Sequence, residues 1–449
     1  MRSLVLALLV MTVAACSDRV PAPTTPTPTS RPGYPPPALA EVPEGVLFIH
    51  PAGLESLLFR VHAWEEAESV SVGWVVSTSS DGSRALTARS QIGEVISLLG
   101  IMTGSTYQEF SNVPGGVEGA IWSPDGKRLA YTQPDETAGD RSQVGVVDVD
   151  TGHTTQLTTE ADFYSLLGWT ARGEVLVSTS QGLVLVGKER RPIELREPGA
   201  VVDVEISPDG RSVAVKVGEY EYSEADELTY IHSSGIWVLT VSSGRWRKIV
   251  DQSGDPPGVQ TTVGDLMGWS PDAKRLAYHS PIGPGWPYDR FGLDVVDVVT
   301  GERTHIVDRP VWTEAWSRDG RYLAFLYQDS KAENRLGLLG PDGRTSEVDI
   351  LVRRMVWTNN GRLLVDIPGH LSLLDPETME KEEVVTDDGK SISGLVEAAV
   401  WSPSGRYVAL ATPSDAYNRS SLYIIDTEKG TADLFFDGAG FAPVAWLRK

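Results

Sequence analysis

A short tryptophan motif returns along this chain about every 45 residues. A fixed period of that size commits a chain to a repeat architecture. The motif reads AIWSPDGKRLAY at Ala120–Tyr131, MGWSPDAKRLAY at Met267–Tyr278, EAWSRDGRYLAF at Glu314–Phe325 and AVWSPSGRYVAL at Ala399–Leu410. Weaker copies occupy Leu167–Val177, Val204–Val215 and Met355–Val365, an irregular one begins at Trp74, and a truncated one lies at Trp446. The period overrides the prior of about three domains that 449 residues would otherwise suggest.

Each copy carries local folding instructions. The Trp closes a short apolar strand. Ser-Pro-Asp-Gly then forms a tight turn, in which Pro presets φ and Gly accepts a conformation that side chains resist. A second strand follows, as in Arg128–Tyr131, alternating polar with apolar residues. After a variable loop come a third strand ending near an Asp, a turn and a fourth strand, as in Val144–Leu157, Gly292–Val307 and Ser421–Phe436. Four antiparallel strands per repeat, with almost no helical periodicity, describe the blades of an all-β β-propeller.

The W-S-P-D-G-[KR]-x-[LIV]-A-[YF] units resemble the WD40-like (PD40) repeats of the TolB-type propeller family, from about Val46 to Lys449. The matching residues are structural, so the resemblance implies a fold rather than an activity. Ile206 replaces the Trp, Ala273 the turn Gly, Arg318 the Pro and Ser404 the Asp, which leaves those turns open. The TolB protein also has an α/β domain ahead of its propeller, where this chain has a proline-rich stretch. The motif positions give eight full repeats; Val46–Val61 resembles third and fourth strands, and Ala445-Trp446 a first strand. Joining the ends would close the ring and leave no open sheet edge there. Seven to nine blades fit this count; eight is expected, because the Trp74 copy is irregular.

The first 15 residues read as a signal peptide, with one early Arg, an apolar core Leu4–Val13, and Val13-Ala14-Ala15 ahead of Cys16. That ending resembles a bacterial lipobox, which implies lipidation at Cys16, the chain's only cysteine. Residues 16–40 are rich in Pro and Thr and suit an extended tether, reaching up to ~70 Å in polyproline form. The propeller then takes residues 41–449. The expected location is extracytoplasmic, lipid-anchored to a bacterial membrane at the cell surface or in the periplasm.

A formal charge of −22 repels phosphate backbones, so nucleic acid is not an expected partner. Basic residues after the turns (Lys127-Arg128, Arg211, Lys274-Arg275, Arg321, Arg362, Arg406) occur about once per repeat and read as solvated hairpin ends. The long insertions fall between second and third strands, at 133–142, 218–234, 280–290, 328–334 and 412–420. Loops carry function more often than the scaffold beneath them, so one face of the disc is expected to be the working face.

Two insertions stand out. Residues 218–234 hold Tyr220, Glu221, Tyr222, Glu224 and Asp226, with no basic Lys or Arg. The Glu-Tyr alternation suggests strands running beyond the disc with carboxylates on one side and rings on the other. Calcium-loop spacing is absent, so a solvated acidic hairpin outweighs a metal site. Residues 280–290 hold Trp286, Tyr288, Asp289 and Arg290 in a proline-stiffened loop, suited either to contact a sugar, peptide or protein, or to plug the channel. Eight of the 13 Trp occupy the repeat position and are expected to be packing.

No G-x-S-x-G elbow, H-E-x-x-H, C-x-x-C or P-loop occurs, and no cofactor is expected. Similar repeats front the prolyl oligopeptidase family, whose hydrolase domain carries the Ser, Asp and His. No α/β segment precedes Val46 and little follows Trp446, which points away from a peptidase. A carboxylate- or His-based site, with His232 and His279 as candidates, would leave no linear motif. The expected function is therefore that of a monomeric, non-catalytic binding or scaffold module of the cell envelope, engaging an envelope protein, glycan or peptide. The alternatives are a propeller enzyme acting on carbohydrate or peptide, as a lyase, cyclase or hydrolase, or the sensor arm of an envelope complex.

Overall fold

A computed structural model describes residues 42–51, 57–63, 66–72, 74–90, 97–103, 106–110, 119–134, 141–196, 199–223, 228–252, 258–259, 266–281, 291–392, 398–413, 420–436 and 441–448. They form nine sheets, each built on four antiparallel strands; Gly258–Val259 and Val385–Thr386 add a fifth strand to two of them, the latter in parallel. Eight follow one another in chain order, with first strands Trp74–Thr78 (blade 1), Ile121–Trp122 (2), Ser165–Trp169 (3), Ala200–Ile206 (4), Leu266–Trp269 (5), Val311–Trp316 (6), Arg354–Trp357 (7) and Ala398–Trp401 (8). Blade 9 is composite. Its first strand is Phe441–Leu447, and its other three are Val46–Pro51, Leu57–Ala63 and Glu66–Val72. Val46 pairs with Leu447, Leu47 with Trp446 and Phe48 with Ala445, so the ends of the propeller close the ring as expected.

The blade number corrects the expectation of eight. The irregular Trp74 copy builds a full blade from Trp74–Thr78, Arg84–Ser90, Ser97–Thr103 and Thr106–Phe110. Its turn, Ser79-Ser80-Asp81-Gly82, lacks only the Pro, and Gly82 takes φ +65° as the motif requires. Pairing between strands decides a blade, and a missing Pro removes none of that pairing.

The motif's chemistry is visible in the turns. Ser123 Oγ donates to Asp125 at 2.5 Å and accepts the Arg128 N–H at 2.9 Å. Ser207, Ser270 and Ser317 repeat the arrangement with Asp209, Asp272 and Asp319. The hydroxyl thus ties both arms of the hairpin, and its bond is the largest of the effects that hold the Asp125 carboxyl below its usual range. Ala273 adopts the glycine conformation, with φ 58°. The Arg318 turn also closes, with Gly320 N–H donating to Ser317 O at 2.8 Å.

The core lies between blades. One cluster joins Ala214, Ile236, Val238, Ile249 and Val250 of blade 4 to Leu266, Trp269, Leu276, Tyr278 and Val296 of blade 5. Repeat tryptophans bridge the same boundaries: the Nε1–H of Trp169 donates to Ile121 O at 3.1 Å, Trp269 to Glu205 O at 3.2 Å, and Trp357 to Ala315 O at 2.7 Å. The expectation that the post-turn basic residues are merely solvated is corrected for four of them: Arg362 pairs with Glu382 at 2.5 Å and Arg406 with the buried Asp426 carboxylate at 2.7 Å. Arg128 stacks over the Trp169 ring at 4.7 Å and Arg275 over Trp316 at 4.5 Å, each reaching into the next blade.

First strands of successive blades touch, as in blades 2–3, 3–4, 4–5, 5–6, 6–7, 8–9 and 9–1, and form the inner ring. They run from the face bearing the interblade connections and the second-to-third-strand loops, here the insertion face, toward the tight-turn face. Among the described residues no helix is long and apolar enough to cross a membrane.

Candidate functional site

The residues singled out by sequence divide sharply. Cys16, Glu224, Asp226, Trp286, Tyr288, Asp289 and Arg290 lie outside the described residues. Tyr220, Glu221 and Tyr222 lie on the predicted projecting hairpin. Ser212–Ser223 and Leu228–Thr240, the second and third strands of blade 4, run 12 and 13 residues. They stay paired out to Ser223↔Leu228. Tyr220 and Tyr222 are 46% and 61% exposed. Glu221 Oε2 meets His232 Nε2 at 2.8 Å across the hairpin.

Of the five large apolar residues exposed among the described ones, Val299 lies in the third-to-fourth-strand turn of blade 5 on the tight-turn face, and the four aromatic ones lie on the insertion face. Phe163 precedes the first strand of blade 3, and Trp312 is the second residue of the first strand of blade 6; both are more than half exposed. With Tyr220 and Tyr222 they give the insertion face an aromatic rim spanning blades 3 to 6.

Below the rim, the inner ring of blades 4 to 6 carries charge where neighbouring repeats are apolar. Glu205 immediately precedes the motif position Ile206, a place held by Ile121, Gly168, Gly268, Ala315 and Val356 in other blades. Glu314 stands two residues before Trp316 and lies beside Gly268 of blade 5. Burial raises the Glu314 pKa to about 7, and the Glu205 carboxylate adds to the shift. Glu205 is itself raised, by burial first and then by Asp203. Asp203 is held in place by the Leu266 N–H, which donates to its Oδ2 at 2.8 Å. Near neutral pH Glu314 is therefore about half protonated, and with Glu205 beside it this wall is suited to accept an ammonium or guanidinium group or to exchange a proton.

Two nitrogen-bearing side chains complete the wall, one buried and one half-buried. Lys216 is 4% exposed and lies opposite Asp203 in the sheet register. His279, at the equivalent place in blade 5, stacks on Phe291 with ring centroids 5.8 Å apart. Its pKa falls to about 4, mainly through burial and then through the Lys216 charge, against a hydrogen bond to Val311 that favours the cation. His279 is thus a neutral imidazole at neutral pH. The sequence flagged His279 but not Glu205 or Glu314; the available signal was an acid on an inner strand at a position apolar in other repeats. Among the described residues no group of three or more His, Cys, Asp or Glu is arranged to hold a metal ion.

No family model matches this chain. Part of it is similar to dipeptidyl-peptidase 5 of Porphyromonas gingivalis, with 27% identity over 230 residues, covering 47% of this chain and 31% of that protein. The matched region thus spans about a third of the length of the curated relative. Among solved structures, a eukaryotic initiation factor superimposes with a TM-score of 0.61 at 14% identity, over 90% of this chain and 100% of that one. TolB from Acinetobacter baumannii covers 72% of this chain and 82% of its own at 15% identity, with a TM-score of 0.28. At 14% identity, the likeness to the initiation factor concerns the fold alone. The relative overturns one expectation: the absence of linear catalytic motifs pointed away from enzymes, yet the curated protein this sequence resembles is a peptidase. A propeller keeps its structural repeats whatever chemistry it serves, so missing motifs within it say nothing against a peptidase connection.

Proposed function

We propose that this chain serves peptide hydrolysis, its propeller admitting and holding the peptide. The observation that carries the reading is the 27% identity to a dipeptidyl-peptidase. The geometry is consistent with it. An aromatic rim on the insertion face offers apolar contact, and the Glu205–Glu314 pair beneath offers negative charge to a cationic peptide group. Lipidation at Cys16 would tether this activity outside the cytoplasm, on the far side of a proline-rich spacer.

The test is release of chromophore from a panel of dipeptidyl-p-nitroanilides by the full chain, alongside calorimetric titration with the corresponding uncleaved peptides. Peptide binding that weakens at least tenfold in Glu205→Gln/Glu314→Gln supports the reading, as does turnover. Neither turnover nor binding across the panel overturns it.

A further inference from the structure

The blade 4 hairpin has one capped edge and one open edge. On the outer side, the short strand Gly258–Val259 pairs with Tyr230 and Ile231 and covers the third strand where the fourth has ended. On the inner side, the first strand begins at Ala200, opposite Gly218. Beyond that point Glu219–Tyr222 pair, among the described residues, with the third strand alone. A register shift between Val217 and Gly218 marks where the hairpin leaves the disc. The stretch is an extended strand whose alternate N–H and C=O groups face the inner side of the insertion face.

We infer that the Glu219–Tyr222 edge receives an extended peptide as an added β-strand, selecting chains with basic side chains at alternate positions; the inference rests on the peptide reading above. Backbone pairing at a strand edge supplies sequence-independent affinity, and the side chains flanking it supply selection. Glu219 and Glu221 share one side of the strand and Tyr220 and Tyr222 the other. Both faces are solvent-exposed, with the Glu221 side chain at 69%. A basic side chain on the added strand would meet the carboxylates, while an apolar one would lie on the rings. The same charges argue against a second copy as the occupant. Edge-to-edge pairing of two such hairpins would set four carboxylates against one another, and like charges placed opposite each other in a sheet are destabilising.

The probe is a fluorescein-labelled Lys-Val-Lys-Val-Lys-Val peptide, measured by fluorescence anisotropy with the full chain. Two N-methylated versions remove the ladder donors from one alternate set of residues or the other, leaving all side chains in place. Methylation in one register should weaken binding at least tenfold and in the other much less. Glu219→Lys/Glu221→Lys should lose the lysine peptide and gain Glu-Val-Glu-Val-Glu-Val, with an unchanged melting temperature because both residues stand clear of the core. Equal binding by both methylated peptides overturns the inference. So does binding that responds to Glu205→Gln/Glu314→Gln but not to the hairpin variant, an outcome that leaves the peptide function standing. A dimer in sedimentation velocity that dissociates in Glu219→Lys/Glu221→Lys would also overturn it, by assigning the edge to a second copy.

Discussion

Glu314 of blade 6 lies against Gly268 of blade 5: a β-carbon on Gly268 would stand 3.8 Å from Glu314 Oε1. The pairing is chemical as well as steric. Gly268 sits at φ 132°, where a side chain is strained, so this place in the ring is kept empty. Against this glycine, the carboxylate of Glu314 from the next blade occupies a half-buried site. There it feels the charge of Glu205, one blade further on.

That placement has a pH signature. The folded-state pKa of Glu314 is raised from 4.5 to about 7, so the folded chain binds this proton more tightly than the unfolded chain. The resulting stability is fully present below about pH 4.5 and is lost as pH rises through about 7. The shift corresponds to at most about 3.5 kcal/mol, at about 1.4 kcal/mol per unit. His279 acts in the opposite sense, because its lowered pKa costs stability as pH falls below 6.5 toward about 4. The whole-protein curve therefore mixes the two. The difference between Glu314→Gln and the parent isolates Glu314. In urea denaturation the variant should gain on the parent between pH 5 and 8; a constant difference across that range would contradict the assignment.

Ring closure can be tested at Trp446. It is 3% exposed, donates its Nε1–H to the Glu44 carbonyl and packs among Leu47, Ile49, Ala409 and Leu422. Truncation of a buried Trp typically costs about 3–5 kcal/mol. Trp446→Ala should lower the melting temperature by several degrees. Phe163→Ala, at 56% exposure, should stay within about 0.5 kcal/mol of the parent. Equal melting temperatures for the two variants would place closure elsewhere.

Ala273 offers a stabilising substitution. It holds φ 58° in a turn where Gly126, Gly210 and Gly320 take +65°, +67° and +70°. A side chain in the left-handed region costs about 1–2 kcal/mol, part of which glycine returns as unfolded-state entropy. Ala273→Gly should raise stability by about 0.5–1 kcal/mol in thermal or urea unfolding. A loss of stability would show that the turn's strain is relieved elsewhere.

How much of this was legible in the residues varies by level. The blades were, because the motif's Ser, Asp and Gly act through contacts within a few positions: Ser270 binds Asp272 and the Arg275 N–H, all inside one hairpin. The projecting hairpin was legible too, from its Glu-Tyr alternation. The blade number was not, because blade 1 has Thr78 where the motif has Trp and Ser80 where it has Pro, while keeping its pairing. Glu205 and Glu314 were missed because their environment is made by three blades at once, and spacing along the chain carries no record of which inner strands become neighbours. The cation–π contacts of Arg128 and Arg275 were missed for the same reason, since each partner Trp belongs to the following blade.

The last prediction concerns a residue that breaks the blade pattern. In blades 2 and 6 the motif's closing aromatic faces a glycine across the sheet, Tyr131 opposite Gly145 and Phe325 opposite Gly337. A β-carbon there would meet the ring at 2.6 Å and 2.2 Å respectively. In blade 5 the same register sets Tyr278 opposite Asp294, which is 3% exposed. Its carboxylate accepts from Tyr278 Oη at 3.2 Å and Arg303 Nη2 at 2.8 Å, and contacts His305 Nδ1 at 2.8 Å. Burial, followed by the Asp294 charge, pushes the Tyr278 hydroxyl well above its usual range. Asp294→Gly would restore the common pattern sterically but strip the acceptor from three side chains. Tyr278 is buried and cannot rehydrate, whereas Arg303 and His305 are about half exposed and can. The expected loss is therefore about 1–3 kcal/mol, the penalty for leaving a buried polar group unsatisfied. Asp294→Asn keeps an acceptor for Tyr278 and should lose less. Urea midpoints for the two variants decide the matter: if Asp294→Gly matches or exceeds the parent, the network adds nothing to the fold and blade 5 tolerates either arrangement.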